Sequence, residues 1–517
     1  MKRTFVILLL ALTSVGLRAQ KYIPVSTSEI VIGHDYIHGK DIKATEYLFP
    51  EKIISSYIDT ATSYLTLQMR GVTKSGKWID ASGDIVLYDI AYKMIRWTLD
   101  VNYNQGGIDQ YNDLIIKSNG YKNYCIDIKT GANKWEVKDN IYFVNPGLNV
   151  ALGYKVRMGS DYTNTLEGID LATGKSLWSR EIDREFGWNR IIPLSSYEIG
   201  IVAKGFHTIN LLTGEGWDYN TLTGRRNYAG TVITNVLGLA AGLMTGTYFF
   251  ATGHNVISDF VSNPVIDSAS IYLASREQIA RLNRNGKIQW ILKLPDDKIS
   301  KSSIFRRDSV LYLINKGYAF NGLKKIDFGS PFFSAYSVND GRQLYFNNLG
   351  DKKTNINSYT TRGDTVYFLY KDKISKLSLA TGSVLLEYPF NAQVTGEPED
   401  FVGPQVFEKS DSVFKSLVLS DSSKLFVYTN KGKLLVLNQY LETVNISGID
   451  QYYIAYRKTP GYIFLHKGNE TVVIDTNNKM VAEFKASGKA KLLGNKLYDV
   501  QEKSFIEIDL SVLFGGQ

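Results

Sequence analysis

Short apolar runs of four to six residues, closed on both sides by polar turn residues, recur along the whole chain. They include Ile85-Val-Leu-Tyr-Asp-Ile90, Val310-Leu-Tyr-Leu-Ile314, Thr365-Val-Tyr-Phe-Leu-Tyr370, Leu425-Phe-Val-Tyr428 and Tyr462-Ile-Phe-Leu465. Runs this short, rich in β-branched and aromatic residues, predict strands buried on both faces. Between them stand Thr130-Gly131, Thr173-Gly174, Asn285-Gly286, Asp340-Gly341, Thr381-Gly382 and Lys431-Gly432, where glycine supplies the positive φ of a tight turn. The pattern predicts an all-β chain of hairpins.

The hairpins share a longer unit. Five times an apolar strand runs into a polar turn and then a tryptophan: Asp89 to Trp97, Asp127 to Trp135, Asp170 to Trp178, Asn210 to Trp217 and Leu282 to Trp290. Each unit is too small to bury its own apolar face, so it must stack on its neighbours. Later copies carry Tyr345, Leu386, Val444 and Phe484 near the tryptophan position, followed by a last strand pair around Leu497 to Ile508. The spacing predicts a single β-propeller of four-stranded blades, eight of them within a range of seven to nine. Strands from the two ends of the chain would share a blade, removing the open edge. In such a ring the five tryptophans act as wedges between sheets, each with its indole N–H on one partner.

The units Ile126-Asp-Ile-Lys-Thr-Gly-Ala-Asn-Lys-Trp135 and Ile169-Asp-Leu-Ala-Thr-Gly-Lys-Ser-Leu-Trp178 resemble the tryptophan-docking repeat of the quinoprotein-type, PQQ-like β-propellers. The resemblance is sharpest over residues 80–300 and extends weakly to about 485. It implies two functional classes: dehydrogenases that hold pyrroloquinoline quinone and calcium on the propeller axis, and non-catalytic scaffolds such as the propeller lipoprotein of outer-membrane assembly. The enzymes of that family stack the quinone under a disulfide of adjacent cysteines. This chain has one cysteine, Cys125, in a repeat strand, and no catalytic aspartate motif to carry over. The resemblance therefore leans toward the scaffolds, with no cofactor.

The first residues, Met1-Lys-Arg-Thr-Phe-Val-Ile-Leu-Leu-Leu-Ala-Leu, followed by Leu17-Arg18-Ala19, read as a secretory signal peptide (1–19), leaving the propeller to 20–517. No cysteine adjoins the cut, so a lipid anchor is not expected; the predicted location is periplasmic or extracellular. Removing Lys2, Arg3 and Arg18 from the 59 basic residues leaves 56 against 51 acidic, a net of +5. The charges are interspersed, which argues against nucleic acid, while a mildly cationic surface suits anionic lipid or polysaccharide.

One stretch breaks the repeat. Between Trp217 and Trp290 the chain gains about thirty residues over one unit, an apolar, Gly-rich insertion at 222–256. Its core, 228–250, carries no charge, and Gly230, Thr234, Gly238, Gly242 and Gly246 recur every fourth residue. As one helix it would reach about 35 Å. A single membrane crossing inside a ring would put blades on opposite sides of a bilayer, so the segment must return to the side it left. It would do so as a packed or interfacial helix, or as a hairpin with Val256 to Val261. Arg225 and Arg226 before it, and Phe249 and Phe250 at its end, make it a candidate contact for an envelope protein or a membrane surface.

Chemistry is sparse. His34 and His38 flank Asp35 at a spacing that converges on a helix and not on the strand and turn predicted here, so no metal is expected. His207, His254 and His466 have no partner nearby in sequence. Glu397-Pro-Glu399-Asp400 and Asp296-Asp297 lack the alternating ligands of a calcium loop. The sequence thus points to a non-catalytic, protein-binding propeller, the alternatives being a quinone-dependent dehydrogenase and a carbohydrate-binding propeller using exposed Tyr and Trp.

Overall fold

The computed structural model describes residues 25–514, apart from 60–61, 73–78, 104–106, 112, 120–121, 157–161, 185–186, 227–255, 259–260 and 323. The signal-peptide segment 1–19 and most of the insertion, with Gly238, Gly242, Gly246, Phe249 and Phe250, lie outside the described residues.

The fold is all-β, and its described strands form nine four-stranded sheets and one of eleven strands. The first sheet sets the pattern: Lys52–Asp59, Tyr64–Val72, Ile79–Asp89 and Met94–Asn102 lie in chain order, each antiparallel to the next. Seven further four-stranded meanders follow at 108–137, 139–181, 190–220, 265–293, 302–348, 356–389 and 398–448. The eleven-stranded sheet contains two more four-strand units. One is the meander Tyr453–Thr459, Tyr462–Lys467, Glu470–Asp475 and Met480–Lys485. The other is Lys491–Leu493, Lys496–Val500 and Ser504–Asp509, whose fourth strand, Lys40–Leu48, comes from the start of the chain. Ala44 pairs with Ile508 and Leu48 with Ser504, while Gly33–Asp35 of the preceding strand pair with Ala482–Phe484. These are ten four-strand units, more than the eight counted from the repeat.

Burial explains the composition of each strand. Val310–Asn315 and Thr365–Tyr370, second strands of their sheets, are buried almost throughout. The fourth strands Ser176–Glu181 and Val384–Pro389 alternate between exposed and half-buried positions. A second strand faces a neighbouring sheet on both sides, hence its unbroken apolar run. A fourth strand is an edge, hence its alternation.

Sheet packs on sheet through apolar clusters that each take side chains from two successive units. Ile85, Leu87 and Trp97 of the first unit meet Ile115 and Ile126 of the second. Leu114, Cys125 and Trp135 of the second meet Ala151 and Ile169 of the third. At the far end, Tyr498 and Phe505 of the last unit pack with Tyr47 against Leu65, Val86 and Tyr88 of the first, and the rings of Tyr47 and Phe505 are stacked at 4.3 Å.

Two junctions carry extra elements. A hairpin, Val406–Ser410 and Val413–Ser416, followed by the one-turn helix Leu417–Ser420, lies between the eighth and ninth units. Val406 and Leu417 pack on Phe426 and Leu434 of the eighth, and Phe407 and Phe414 on Leu465 and Val472 of the ninth. The other is the ninth four-stranded sheet, which is not a meander. It joins Arg225–Arg226 and Val256–Ser258, at the two ends of the insertion, to the hairpin Tyr318–Asn321 and Lys324–Asp327 from the sixth unit.

Candidate interaction surface

The repeat motif is a staple between sheets. In the second unit Asp127 closes its turn by accepting at Oδ1 from the Lys129 and Thr130 amides at 2.9 and 3.0 Å. Gly131 takes the left-handed conformation with φ 70°, and a Cβ there would fall 2.8 Å from Trp97 Cδ2. The Trp97 indole, belonging to the first unit, lies against that glycine and donates Nε1–H to the Ile128 carbonyl at 2.7 Å. The same arrangement recurs onto Leu171 from Trp135 at 2.7 Å, Leu211 from Trp178 at 2.9 Å, Arg284 from Trp217 at 3.0 Å and Val338 from Trp290 at 2.9 Å. Each acceptor follows the Asp, Asn or Ser that opens the turn of the next unit. The Trp217 bond spans the insertion and holds its two flanking units together.

A β-bulge aims the ring. Leu87 pairs with Trp97 and Tyr88 with Ile95, leaving Arg96 bulged; the register slips in the same way before Trp178, Trp290 and Tyr345. The slip continues after the tryptophans cease: Lys376 pairs with Leu386, Val436 with Asn445 and Val473 with Ala482. The staple positions of the eighth and ninth units are therefore Asn445 and Ala482, which corrects the sequence assignment of Val444 and Phe484. Val444 is the bulged residue and Phe484 lies two residues beyond.

His207 does not stand alone. It faces Asp218 across the third and fourth strands of its sheet, with Nδ1 at 2.6 Å from Asp218 Oδ1. Arg180 of the preceding sheet reaches the same oxygen at 2.5 Å. Burial raises the Asp218 pKa, but the hydrogen bonds from His207 and Arg180 outweigh it and hold the carboxyl at about 2. The group is a charge cluster tying two sheets together, and the signal for it was the strand register, which places residue 207 opposite 218. His38 Nδ1 lies 2.7 Å from Asp35 Oδ2 in the first hairpin turn, and His34 lies 3.5 Å from Asp41. Of the acidic clusters, Glu397 pairs with Lys371 at 2.7 Å, Asp400 accepts from Ser358 at 2.5 Å and Asp296 lies 3.3 Å from Lys293. Among the described residues no three His, Cys, Asp or Glu side chains gather in a way that could hold a metal ion, and no helix is long and apolar enough to cross a membrane. Cys125 is buried, and burial pushes its thiol up to about 11.

The small sheet at the insertion is the surface that sequence reasoning missed. Arg225 pairs with Ile257 and Arg226 with Val256, so the chain leaves and re-enters on adjacent antiparallel strands. Ile257 and Ser258 pair in turn with Asn321 and Phe320. In an antiparallel meander the second-to-third turn and the connection to the next sheet leave from the same end, opposite the repeat turns. The insertion follows a fourth strand, Asp218–Asn220, and the Tyr318–Asp327 hairpin joins a second strand to a third, so the two meet at that common end. Ile257 and Ala319 are buried beneath, with Ile326 and Phe328 packed against them.

Residues 70–292 match the family model described as outer membrane protein assembly factor BamB. Among solved structures, BamB from Moraxella catarrhalis is 14% identical, with 74% of this chain and 98% of that one covered at a TM-score of 0.33. A europium-containing methanol dehydrogenase is 11% identical, with 73% and 84% covered at 0.30, and Hsv2p of Kluyveromyces lactis is 8% identical, with 77% and 99% covered at 0.28. No curated protein matches. Over residues 70–292, which carry the docking repeats, the chain is similar to the PQQ-like repeat β-propellers.

Proposed function

We propose that the protein is a non-catalytic scaffold of the cell envelope: an exported propeller, 20–517 after removal of 1–19, whose ten four-stranded blades close through the N-terminal strands. The insertion 222–256 is its partner contact. The observation that carries this reading is the match of residues 70–292 to the assembly-factor model, together with tryptophans that are spent on stapling sheets. Trp97, Trp135 and Trp290 are buried between sheets, which leaves their ring faces little surface on which a quinone or a sugar could stack. Closure is supported by the pairing of Ala44–Leu48 with Ser504–Ile508 and by the apolar cluster running from the last unit to the first.

The test is capture from a detergent extract of the native envelope by the tagged full chain and by a form lacking 228–250. The reading expects a defined protein retained by the full chain and lost from the deletion. A new absorbance band and a raised melting temperature on adding pyrroloquinoline quinone and calcium, with no protein captured, would replace it by the dehydrogenase reading.

A further inference from the structure

We infer that the fourth strands of the fifth to eighth units form the face on which a second copy of this chain docks. This goes beyond the scaffold reading and does not depend on it. The repeat supplies its own control, because the bulged residue of a fourth strand occupies the same structural position in each unit. It is Arg96 in the first unit and Lys134 in the second, but Leu344, Leu385 and Val444 in the sixth, seventh and eighth. These three aliphatic side chains are 43%, 55% and 53% exposed. The position after the staple residue changes in the same direction, from Glu136 in the second unit to Ile291 in the fifth and Ile446 in the eighth, both exposed.

Edge strands ordinarily carry charges that keep other chains away. Met94–Asn102, Asn133–Val137 and Ser176–Glu181 do so with Arg96, Asp100, Lys134, Glu136, Arg180 and Glu181. Ile288–Lys293, Gln343–Asn348, Val384–Pro389 and Thr443–Gly448 carry two charges between them, Lys293 and Glu387. Each is already paired, Lys293 with Asp296 at 3.3 Å and Glu387 with Lys373 at 2.8 Å. The four units follow one another without a break: Trp290 donates to Val338, Tyr345 donates to Leu379, and Leu386 and Tyr388 pack with Leu425 and Leu437 of the eighth unit. The series ends at the ninth unit, whose fourth strand is covered by Gly33–Asp35.

The occupant follows from the geometry and charge of this face. Leu344, Leu385 and Val444 each sit in a bulge, which breaks the even ladder that an added strand would need, so the face suits a folded surface better than an extended peptide. A charge-depleted aliphatic face is complementary to its own copy: across a two-fold axis no like charges are opposed, and the same side chains are buried from both sides. Elsewhere the chain carries an excess of base, 59 Lys and Arg against 51 Asp and Glu, so two copies meet at least Coulomb cost where their charges are absent.

The experiment is sedimentation velocity of the full chain from about 1 to 100 μM, which is expected to show a monomer–dimer equilibrium with a dissociation constant of about 10 μM or tighter. Salt at about 0.5 M should not weaken it, because charges do not carry the contact. Leu385→Lys with Val444→Lys should weaken the dimer by at least roughly 100-fold with an unchanged melting temperature. Leu177→Lys, at the same bulged position of the third unit and 48% exposed, should leave the dimer intact. If the double variant melts early, Ile446→Lys alone should still weaken the dimer roughly tenfold. A chain that stays monomeric throughout, a dimer that dissociates in salt, a dimer that survives the lysines at 385, 444 and 446, or one lost equally in Leu177→Lys would overturn the proposal.

Discussion

The Tyr345 hydroxyl donates to the Leu379 carbonyl at 2.9 Å, taking the acceptor position that an indole N–H takes in the five preceding junctions. A Cβ on Gly382 would lie 2.5 Å from Tyr345 Cε2, so the ring also lies against the turn glycine as the tryptophans do. The sixth junction is thus stapled by a different side chain with the same two contacts, an apolar face and one donor.

This relationship predicts an order of stabilities. Tyr345→Phe keeps the ring and loses the donor, and should cost about 0.5–1.5 kcal/mol. Trp135→Ala removes both and leaves a cavity between the second and third units, and should cost about 3–5 kcal/mol. Urea unfolding followed by intrinsic fluorescence checks both, and equal losses would refute the division of labour.

The turn glycine should be as sensitive as the ring it carries. Gly174 has φ 71°, and a Cβ there would lie 2.7 Å from Trp135 Cγ. Gly174→Ala combines a left-handed backbone with a clash against a buried indole, and should cost at least about 2 kcal/mol. Gly432, with φ 66° and open space around its Cβ position, is the control that bears only the backbone part. If thermal melting lowers both variants equally, the contact with the ring carries no weight.

A buried carboxyl predicts a pH effect of definite sign. Asp139, at the start of the third unit, is 9% exposed, and burial with Glu167 nearby raises its pKa to about 6. An acid whose folded pKa exceeds its unfolded value favours folding when protonated. Its contribution is therefore full below about 3.8 and is lost as pH rises through about 6. Asp139→Asn mimics the protonated group and should stabilise the protein at pH 7.5 by about 1–3 kcal/mol relative to wild type, with the gain shrinking toward pH 4. Denaturant midpoints at the two pH values decide it, and a gain that grows on acidification would contradict the assignment.

Much of this was legible in the chain. The unbroken apolar runs marked the second strands, and Asp-x-x-Thr-Gly with its tryptophan marked the turn and the staple, because both depend on local chemistry. The later staple positions were misread at Val444 and Phe484 because a bulge, which leaves no residue signature, sets which side chain faces the next sheet. At one of these junctions the loss has a structural counterpart: the hairpin 406–416 lies between the eighth and ninth units, where a staple from position 445 would otherwise cross. Neither the His207–Asp218 contact nor the small basic sheet could be read locally. The first needs the register of two strands, and the second joins residues 225–226 to 318–327 across an intervening sheet.

Ring closure is the claim on which the propeller account rests, and a cross-link tests it most directly. Thr45 and Glu507 are paired residues of antiparallel strands drawn from opposite ends of the chain. Opposed Cα atoms there lie about 4.5–5.5 Å apart, within disulfide reach. In Thr45→Cys, Glu507→Cys with Cys125→Ala, mild oxidation of the folded protein should close the bond in nearly every molecule and speed its migration on a non-reducing gel. A variant that folds but leaves both thiols free under those conditions would contradict the ring.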